Sequence, residues 1–126
     1  MGQLIAGMTG QLVAAMSGVP YPLQNGTTTG NGDTIACPPS FRNHTFIISA
    51  PAGVTGGAIQ LESSNSPLDA NTWGLLTPTP IAVVASTDII VEVVGLFNFI
   101  RARISTTISG GSAPSVTVMY NGAKSY

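Results

Sequence analysis

The chain has 126 residues, with four Lys or Arg, five Asp or Glu and a formal net charge of −1. Four basic side chains spread between Arg42 and Lys124 cannot neutralise a run of phosphates, which excludes nucleic acid as a partner. The single cysteine, Cys37, excludes an intrachain disulfide and a multi-cysteine zinc site. No apolar run reaches the roughly 18 residues needed to cross a membrane, and no basic residue precedes the apolar N-terminus, so we expect neither a membrane span nor a secretory signal.

Charged residues make up only 7% of the chain, whereas hydrophobic residues make up 44%. Soluble domains carry about 25% charged residues, so Ser, Thr, Asn and Gly must cover much of this surface. Little electrostatic repulsion then holds neighbouring molecules apart. The composition therefore favours one small domain that associates closely with other protein.

The N-terminal residues contain an internal repeat of eight: residues 2–9 read GQLIAGMT and residues 10–17 read GQLVAAMS. A fixed period indicates one structural unit used twice, and the repeated glycines weaken a helix. We predict an extended or partly helical N-terminal arm over residues 1–19 and a β domain over residues 20–126. Three alternatives stay open: these residues could form the first strand and a short helix of their own domain, could pack as an arm on another subunit, or could be disordered. The residues expected to bind a partner in the second case are Leu4, Ile5, Met8, Leu12, Val13 and Met16.

Beyond residue 20 the chain reads as short β-strands separated by turns. Residues 24–33, with two Asn-Gly pairs, are predicted to form a loop. Strands are predicted at residues 34–37, 45–50, 58–63, 81–84 and 88–94. We expect residues 45–50 and 58–63 to form a hairpin. Residues 88–94 are apolar on both faces, which is typical of a strand in the middle of two packed layers.

Residues 96–120 show the clearest pattern of the chain. Ile100, Ala102 and Ile104 alternate with polar residues, and residues 116–120 alternate in the same way after a Gly/Pro break. A period of two on both sides of a loop predicts an antiparallel strand pair. The chain as a whole is therefore predicted to be all-β, with two packed antiparallel sheets or a small barrel.

The titratable residues form no recognisable catalytic set. His44 is the only histidine, and a metal site needs several ligands at once. Glu62 and Glu92 could be imagined as a glycosidase pair, but both occupy outward positions of predicted strands, where solvated acids are the norm. Cys37 reads as an inert, partly buried thiol. We therefore expect no enzyme, no cofactor and no metal.

Trp73 and two arginines are the remaining candidates for recognition. An exposed Trp73 beside a polar loop could stack on a sugar, whereas a buried Trp73 would close one end of the sandwich. Arg101 and Arg103 share a strand face and could pair with Glu62, Asp88 or Glu92 across strands or subunits. Solvated surface arginine is the alternative for both.

The order of strand residues resembles that of small virion proteins of tailed bacteriophages, the capsid decoration (cement) proteins and related accessory modules. The resemblance rests on residues 46–48, 59–64, 97–104 and 116–122, with Trp73 between the second and third. It implies an antiparallel β-sandwich (jelly-roll-like) that sits on the capsid exterior, often as a trimer, with terminal arms across joints between subunits. The repeat in residues 2–18 is not part of this pattern.

Three hypotheses follow for the function. The first is a structural virion protein that binds the outer capsid surface and stabilises it by bridging neighbouring subunits. Its partner would be the major capsid protein, and the chain itself would form a homo-oligomer, which the resemblance implies to be a trimer. The second is a carbohydrate-binding (lectin-like) module of a fibre or secreted protein, with Trp73 as the stacking platform. The third is a neck, tail or shell component of the virion.

Overall fold

The computed structural model describes residues 13–14, 20–38, 41–65, 73–110 and 114–124, with backbone only at residues 13, 14 and 124. These ranges contain strands and connections and no helix, so the predicted all-β class is confirmed for them. The strands are β1 Val13–Ala14, β2 Tyr21–Gly26, β3 Gly30–Asn31, β4 Ile35–Ala36, β5 Phe41–Ser49, β6 Gly56–Ser64, β7 Gly74–Leu75, β8 Ile81–Ala82, β9 Asp88–Val94, β10 Phe99–Ser109 and β11 Val116–Lys124.

The strands form two sheets. The larger sheet has the order β1-β4-β10-β6-β7, with β3 also paired to β10 and β8 also paired to β6. The smaller sheet has the order β2-β11-β5-β9. Every pairing is antiparallel except that of β1 with β4, which is parallel and aligns Val13 with Ile35.

The period of two in the sequence determines which side chains are buried. Ile100, Ala102 and Ile104 of β10 are fully buried, and the arginines between them lie on the other face of the sheet. Val116, Val118 and Tyr120 of β11 are buried in the same way. Because successive side chains of a strand point to opposite faces, this alternation specified the inner faces correctly.

The inner faces of both sheets contribute to one hydrophobic core. Its members include Ile59 and Leu61 from the larger sheet, and Phe46 and Ile48 from the smaller one. A polar bridge crosses between the sheets inside this core, because the Gln24 side-chain amide of β2 donates to the carbonyl of Ala102 in β10 at 3.1 Å. The two antiparallel sheets thus enclose a single core, as in face-to-face sheet packing.

Both predicted hairpins are wrong. Strands β5 and β6 lie in different sheets, and so do β10 and β11. Alternation specifies the buried face of each strand, but it does not say whether the next strand lies beside it or across the core. Both connections cross at the same end of the molecule, where Thr55 N–H donates to the Ser109 carbonyl at 2.8 Å. Gly110 turns this crossing with a φ of 91°, a region that favours glycine.

The predicted interior position of residues 88–94 is also wrong. Strand β9 is an edge strand that pairs only with β5 among the described residues. Its odd-numbered side chains pack against the core, while Ile90 is 64% exposed and Val94 75% exposed. Apolar residues on both faces of a strand are compatible with a strand covered on both sides, but also with an edge strand whose outer face is exposed.

The predicted loop over residues 24–33 is partly strand. Strand β2 continues to Gly26, and β3 occupies Gly30–Asn31. The backbone then passes very close to β2 and β10, because Gly32 N–H donates to the Ala102 carbonyl and Asp33 N–H donates to the Leu23 carbonyl, each at 2.8 Å. A Cβ atom at Gly32 would overlap the Leu23 carbonyl oxygen, so this approach requires glycine.

Candidate functional site

The predicted arm residues fall largely outside the described part of the chain. Leu4, Ile5, Met8, Leu12 and Met16 lie outside the described residues. The backbone of Val13 lies in β1, where Val13 and Ala14 pair with Ile35 and Ala36 of the same chain. The arm therefore reaches the edge of the larger sheet of its own domain at these two residues.

The outer face of the smaller sheet carries an apolar row that crosses all four strands. The ladder places Pro22 opposite Met119, Met119 opposite Ile47, and Ile47 opposite Ile90. Pro22 and Ile90 are exposed, and Met119 and Ile47 are half-buried. We call these four residues the apolar row. Apolar residues that lie side by side on one sheet face and are partly open to solvent are candidates for contact with another molecule.

Polar residues flank the apolar row on both sides. One neighbouring row contains Glu92, Thr45 and Asn121, and the other contains Asp88, Ser49 and Thr117. An apolar centre with a polar rim is the usual composition of a protein–protein contact. This surface was not predicted from the sequence, although the acids at positions 88 and 92 of β9 indicate that this face of the strand meets solvent.

The outer face of the larger sheet carries a buried ion pair instead. Arg101 Nε lies 2.7 Å from Glu62 Oε1, with side-chain exposures of 11% and 6%. The Gln60 side-chain amide donates to the other Glu62 oxygen at 2.5 Å. The expectation that Glu62 is a solvated acid is therefore wrong, whereas Glu92 is exposed. Arg103 is half-buried and lies opposite Gln60 and Asn31 in the ladder.

Trp73 covers this ion pair. The guanidinium carbon of Arg101 lies 4.0 Å from the centroid of the Trp73 ring, a cation–π distance. The indole Nε1 is buried and has no hydrogen-bond partner among the described residues. Trp73 lies just before β7 on the outer side of the larger sheet, so the structure brings Trp73, Arg101 and Glu62 together. One face of the indole ring is occupied by Arg101.

A chain of polar side chains runs through the core between the two sheets. His44, which is 1% exposed, has its Nδ1 atom 2.7 Å from the Tyr120 hydroxyl and its Nε2 atom 2.9 Å from the Gly95 carbonyl. Because a carbonyl only accepts, Nε2 carries the proton and Nδ1 accepts from Tyr120. The Cys37 thiol lies 3.8 Å from the same hydroxyl.

Burial determines the protonation states of His44, Tyr120 and Cys37. Desolvation lowers the pKa of His44, against the opposing effect of its hydrogen bonds to the backbone of Gly95 and Phe41. Desolvation also raises the pKa of Cys37 and raises that of Tyr120 strongly. All three groups are therefore neutral near pH 7. Cys37 is buried, as predicted for an inert thiol, and His44 serves as a hydrogen-bonded core residue.

Among the described residues, no three His, Cys, Asp or Glu side chains converge closely enough to hold a metal ion. In the same part of the chain, no helix has the length and apolar character of a membrane span.

Comparison with known proteins yields one structural likeness. No protein-family model matches the chain, and no curated protein matches it. Among solved structures, the chain is similar to the crystal structure of the SPBc2 prophage-derived protein YomS, with a TM-score of 0.49 and 14% sequence identity over 81% of this chain and 88% of that chain. The proposed function therefore rests on the surfaces of the two sheets and not on these comparisons.

Proposed function

We propose that this chain is a structural protein of a bacteriophage particle that binds the outer capsid surface and bridges neighbouring capsid subunits. The observation that carries the proposal is the apolar row across the smaller sheet, from Pro22 to Ile90, on a protein with only 7% charged residues. Such a surface favours burial against another protein.

The strand connectivity supports the jelly-roll part of the proposal. Strands β3 and β4 both pair with β10, and strands β7 and β8 both pair with β6, so each of these two pairs can be counted as one interrupted strand. The body then has eight principal strands in chain order from β2 to β11. The smaller sheet then has the order first, eighth, third, sixth, and the larger sheet second, seventh, fourth, fifth. This is the strand order of a jelly roll, a fold used by viral capsid proteins.

The mechanism is mechanical, and we assign no catalytic step and no cofactor to the chain. Apolar surface contributes about 25 cal/mol per Å² when it is buried, and two linked contacts on adjacent subunits act with a high effective concentration. The apolar row would supply one contact and the arm over residues 1–19 the other. The partner is then the major capsid protein, and the location is the virion surface.

The self-association implied by the family resemblance belongs to the same proposal. The resemblance favours a trimer, and sedimentation of the isolated protein with and without residues 1–19 locates the contact. A trimer that survives removal of the arm places self-association in the β body. The arm is then free to bind the capsid.

Copy number in purified virions tests the proposal. Quantitative mass spectrometry against the major capsid protein should give a number comparable with that of the capsid subunits. A much smaller number would point to a neck or tail component, and absence from virions would overturn a structural role in the particle. A Trp73→Ala variant tests the lectin alternative, because one ring face is already occupied by Arg101; we expect lower stability and no change on a glycan array.

A further inference from the structure

One edge of β9 has no partner strand among the residues that the structure describes, and this edge has the features of a strand that pairs with another strand. It is seven residues long, regular along its whole ladder with β5, and contains no proline. Its outer side chains include the strongly exposed Ile90 and Val94. Edge strands are normally protected by proline, bulges or charged side chains, and a long, flat edge without them readily adds another strand. Strand β9 has no proline and no bulge, and its charged residues are Asp88 and Glu92.

The hydrogen bonds of β9 show which backbone groups are available for pairing. Gly95 N–H donates to the Arg42 carbonyl of β5 at 2.9 Å. Since N–H and C=O groups alternate between the two sides of an antiparallel strand, the odd-numbered residues of β9 bond to β5. The even-numbered residues, from Asp88 to Val94, direct their backbone groups to the open side.

We propose that this edge pairs with the same edge of a second copy, antiparallel and about a two-fold axis beside Val91. The pairing joins the two smaller sheets into one continuous sheet, with both outer faces on the same side. Such a contact is isologous, the commonest way in which identical chains associate. The contact goes beyond the proposed capsid function and does not depend on it, and it predicts a two-fold dimer in place of the trimer that the family resemblance implies.

The positions of the acids select this register. With the axis at Val91, Ile90 faces the partner's Glu92, and Asp88 faces the partner's Val94. A shift by two residues in one direction sets Asp88 against the partner's Glu92, and a shift in the other direction sets the two Glu92 side chains against each other. Like charges directly opposite destabilise a strand pair, so among these three registers the central one alone sets no acid directly opposite another.

Charge complementarity supports a second copy as the occupant. Arg42 is exposed and lies beside the C-terminal end of β9, through its carbonyl contact with Gly95. Antiparallel pairing brings the partner's Asp88 opposite Val94, at the same end of the strand as Arg42, with β9 between the two residues. The symmetry repeats this placement of opposite charges at the other end of the contact, while Val91 meets the partner's Val91 at the centre.

Cysteine cross-linking tests the register. Residues directly opposite in a strand pair have Cβ atoms about 4.5–5.5 Å apart, so Val91→Cys should form a disulfide-linked dimer under mild oxidation. Val93→Cys is the matched control, because Val93 has the same half-buried environment but faces the partner's Ile89. Equal cross-linking of both variants, or of neither, would overturn the proposed contact.

Charge variants at Ile90 provide an independent test by sedimentation velocity. Ile90→Glu would face the partner's Glu92 and should weaken dimerisation by about tenfold or more, whereas Ile90→Lys would face an opposite charge and should retain the dimer. Leu75→Glu, a similar change at an exposed residue of the larger sheet, should leave the dimer intact. A wild-type protein that sediments as a monomer at high concentration, or as a trimer, would overturn the proposal, because a two-fold contact joins chains in pairs; this holds whatever the result of the capsid experiments.

Discussion

The Nδ1 atom of His44 and the hydroxyl oxygen of Tyr120 lie 2.7 Å apart in the core of the domain. Both side chains are at most 1% exposed. Their hydrogen bond links β5 to β11, and the other ring nitrogen of His44 reaches Gly95 at the end of β9. The only histidine of the chain therefore connects three neighbouring strands of the smaller sheet and stabilises the sheet that carries the apolar row.

Removal of the Tyr120 hydroxyl should leave His44 with an unpaired buried acceptor. We expect Tyr120→Phe to lower the free energy of unfolding by about 1–3 kcal/mol, the cost of an unsatisfied buried polar atom, as measured by urea denaturation. Tyr21→Phe is the matched control, since its hydroxyl bonds to Asp33 at 3.0 Å in a half-exposed position. An equal loss in the two variants would contradict a special role for the Tyr120 hydroxyl.

The same site predicts a dependence of stability on pH. Burial holds the pKa of His44 below its ordinary value of 6.5, so the unfolded chain takes up a proton before the folded protein does. The free energy of unfolding should therefore be level above about pH 7 and fall as the pH drops through 6.5 towards the lower folded value. His44→Gln should remove this slope between about pH 7 and pH 5. An unchanged slope in the variant would assign it to other groups.

The ion pair under Trp73 gives a third prediction. Arg101→Met leaves the buried Glu62 carboxylate uncompensated, which typically costs about 3–5 kcal/mol. It also removes the cation from the face of Trp73, so the fluorescence of this single tryptophan should change. Arg103→Met, in the same strand and on the same face, is the control and should have little effect on either measurement. Similar losses for both arginines would contradict the paired role of Arg101.

Close backbone approach gives a fourth prediction. Gly32→Ala should destabilise the domain by roughly 1–3 kcal/mol, because the new methyl group overlaps the Leu23 carbonyl and forces the chain apart. Gly74→Ala is a matched control, since a Cβ atom there meets nothing within 4 Å. Thermal unfolding of both variants measures the difference. A stable Gly32→Ala protein would mean that residues 32 and 33 do not pack against β2 in solution.

The inner faces of the sheets could be predicted from the sequence, whereas the pairing of the strands could not. Ile59, Leu61 and the buried residues of β10 were identified because alternation alone fixes the face of a strand. The partner of each strand depends on the path of the connection, and the Gly/Pro segments after Ser49 and Ser109 suit a crossing between sheets as well as a hairpin. The predicted hairpins failed for this reason.

The candidate surfaces were predicted less well than the core. Glu62 was expected in solvent because its strand position faces outward, but Trp73 and Arg101 cover it there. The apolar row depends on the order of β2, β11, β5 and β9 in one sheet, which no local pattern contains. The sequence was enough to propose that Arg101 forms an ion pair. Choosing Glu62 over Asp88 and Glu92 as its partner required the register of β10 with β6, which aligns Arg101 with Glu62.

Binding of an arm variant to capsids tests the central claim most directly. Purified protein in which Leu4, Leu12 and Val13 are all replaced with serine should be mixed with the phage shells that the proposed function assigns to it as a partner, and sedimented. The account predicts that wild-type protein sediments with the shells, while the variant, checked for a folded β domain by circular dichroism, stays in the supernatant. Equal binding of variant and wild type would contradict the role of the arm in tying this protein to the capsid.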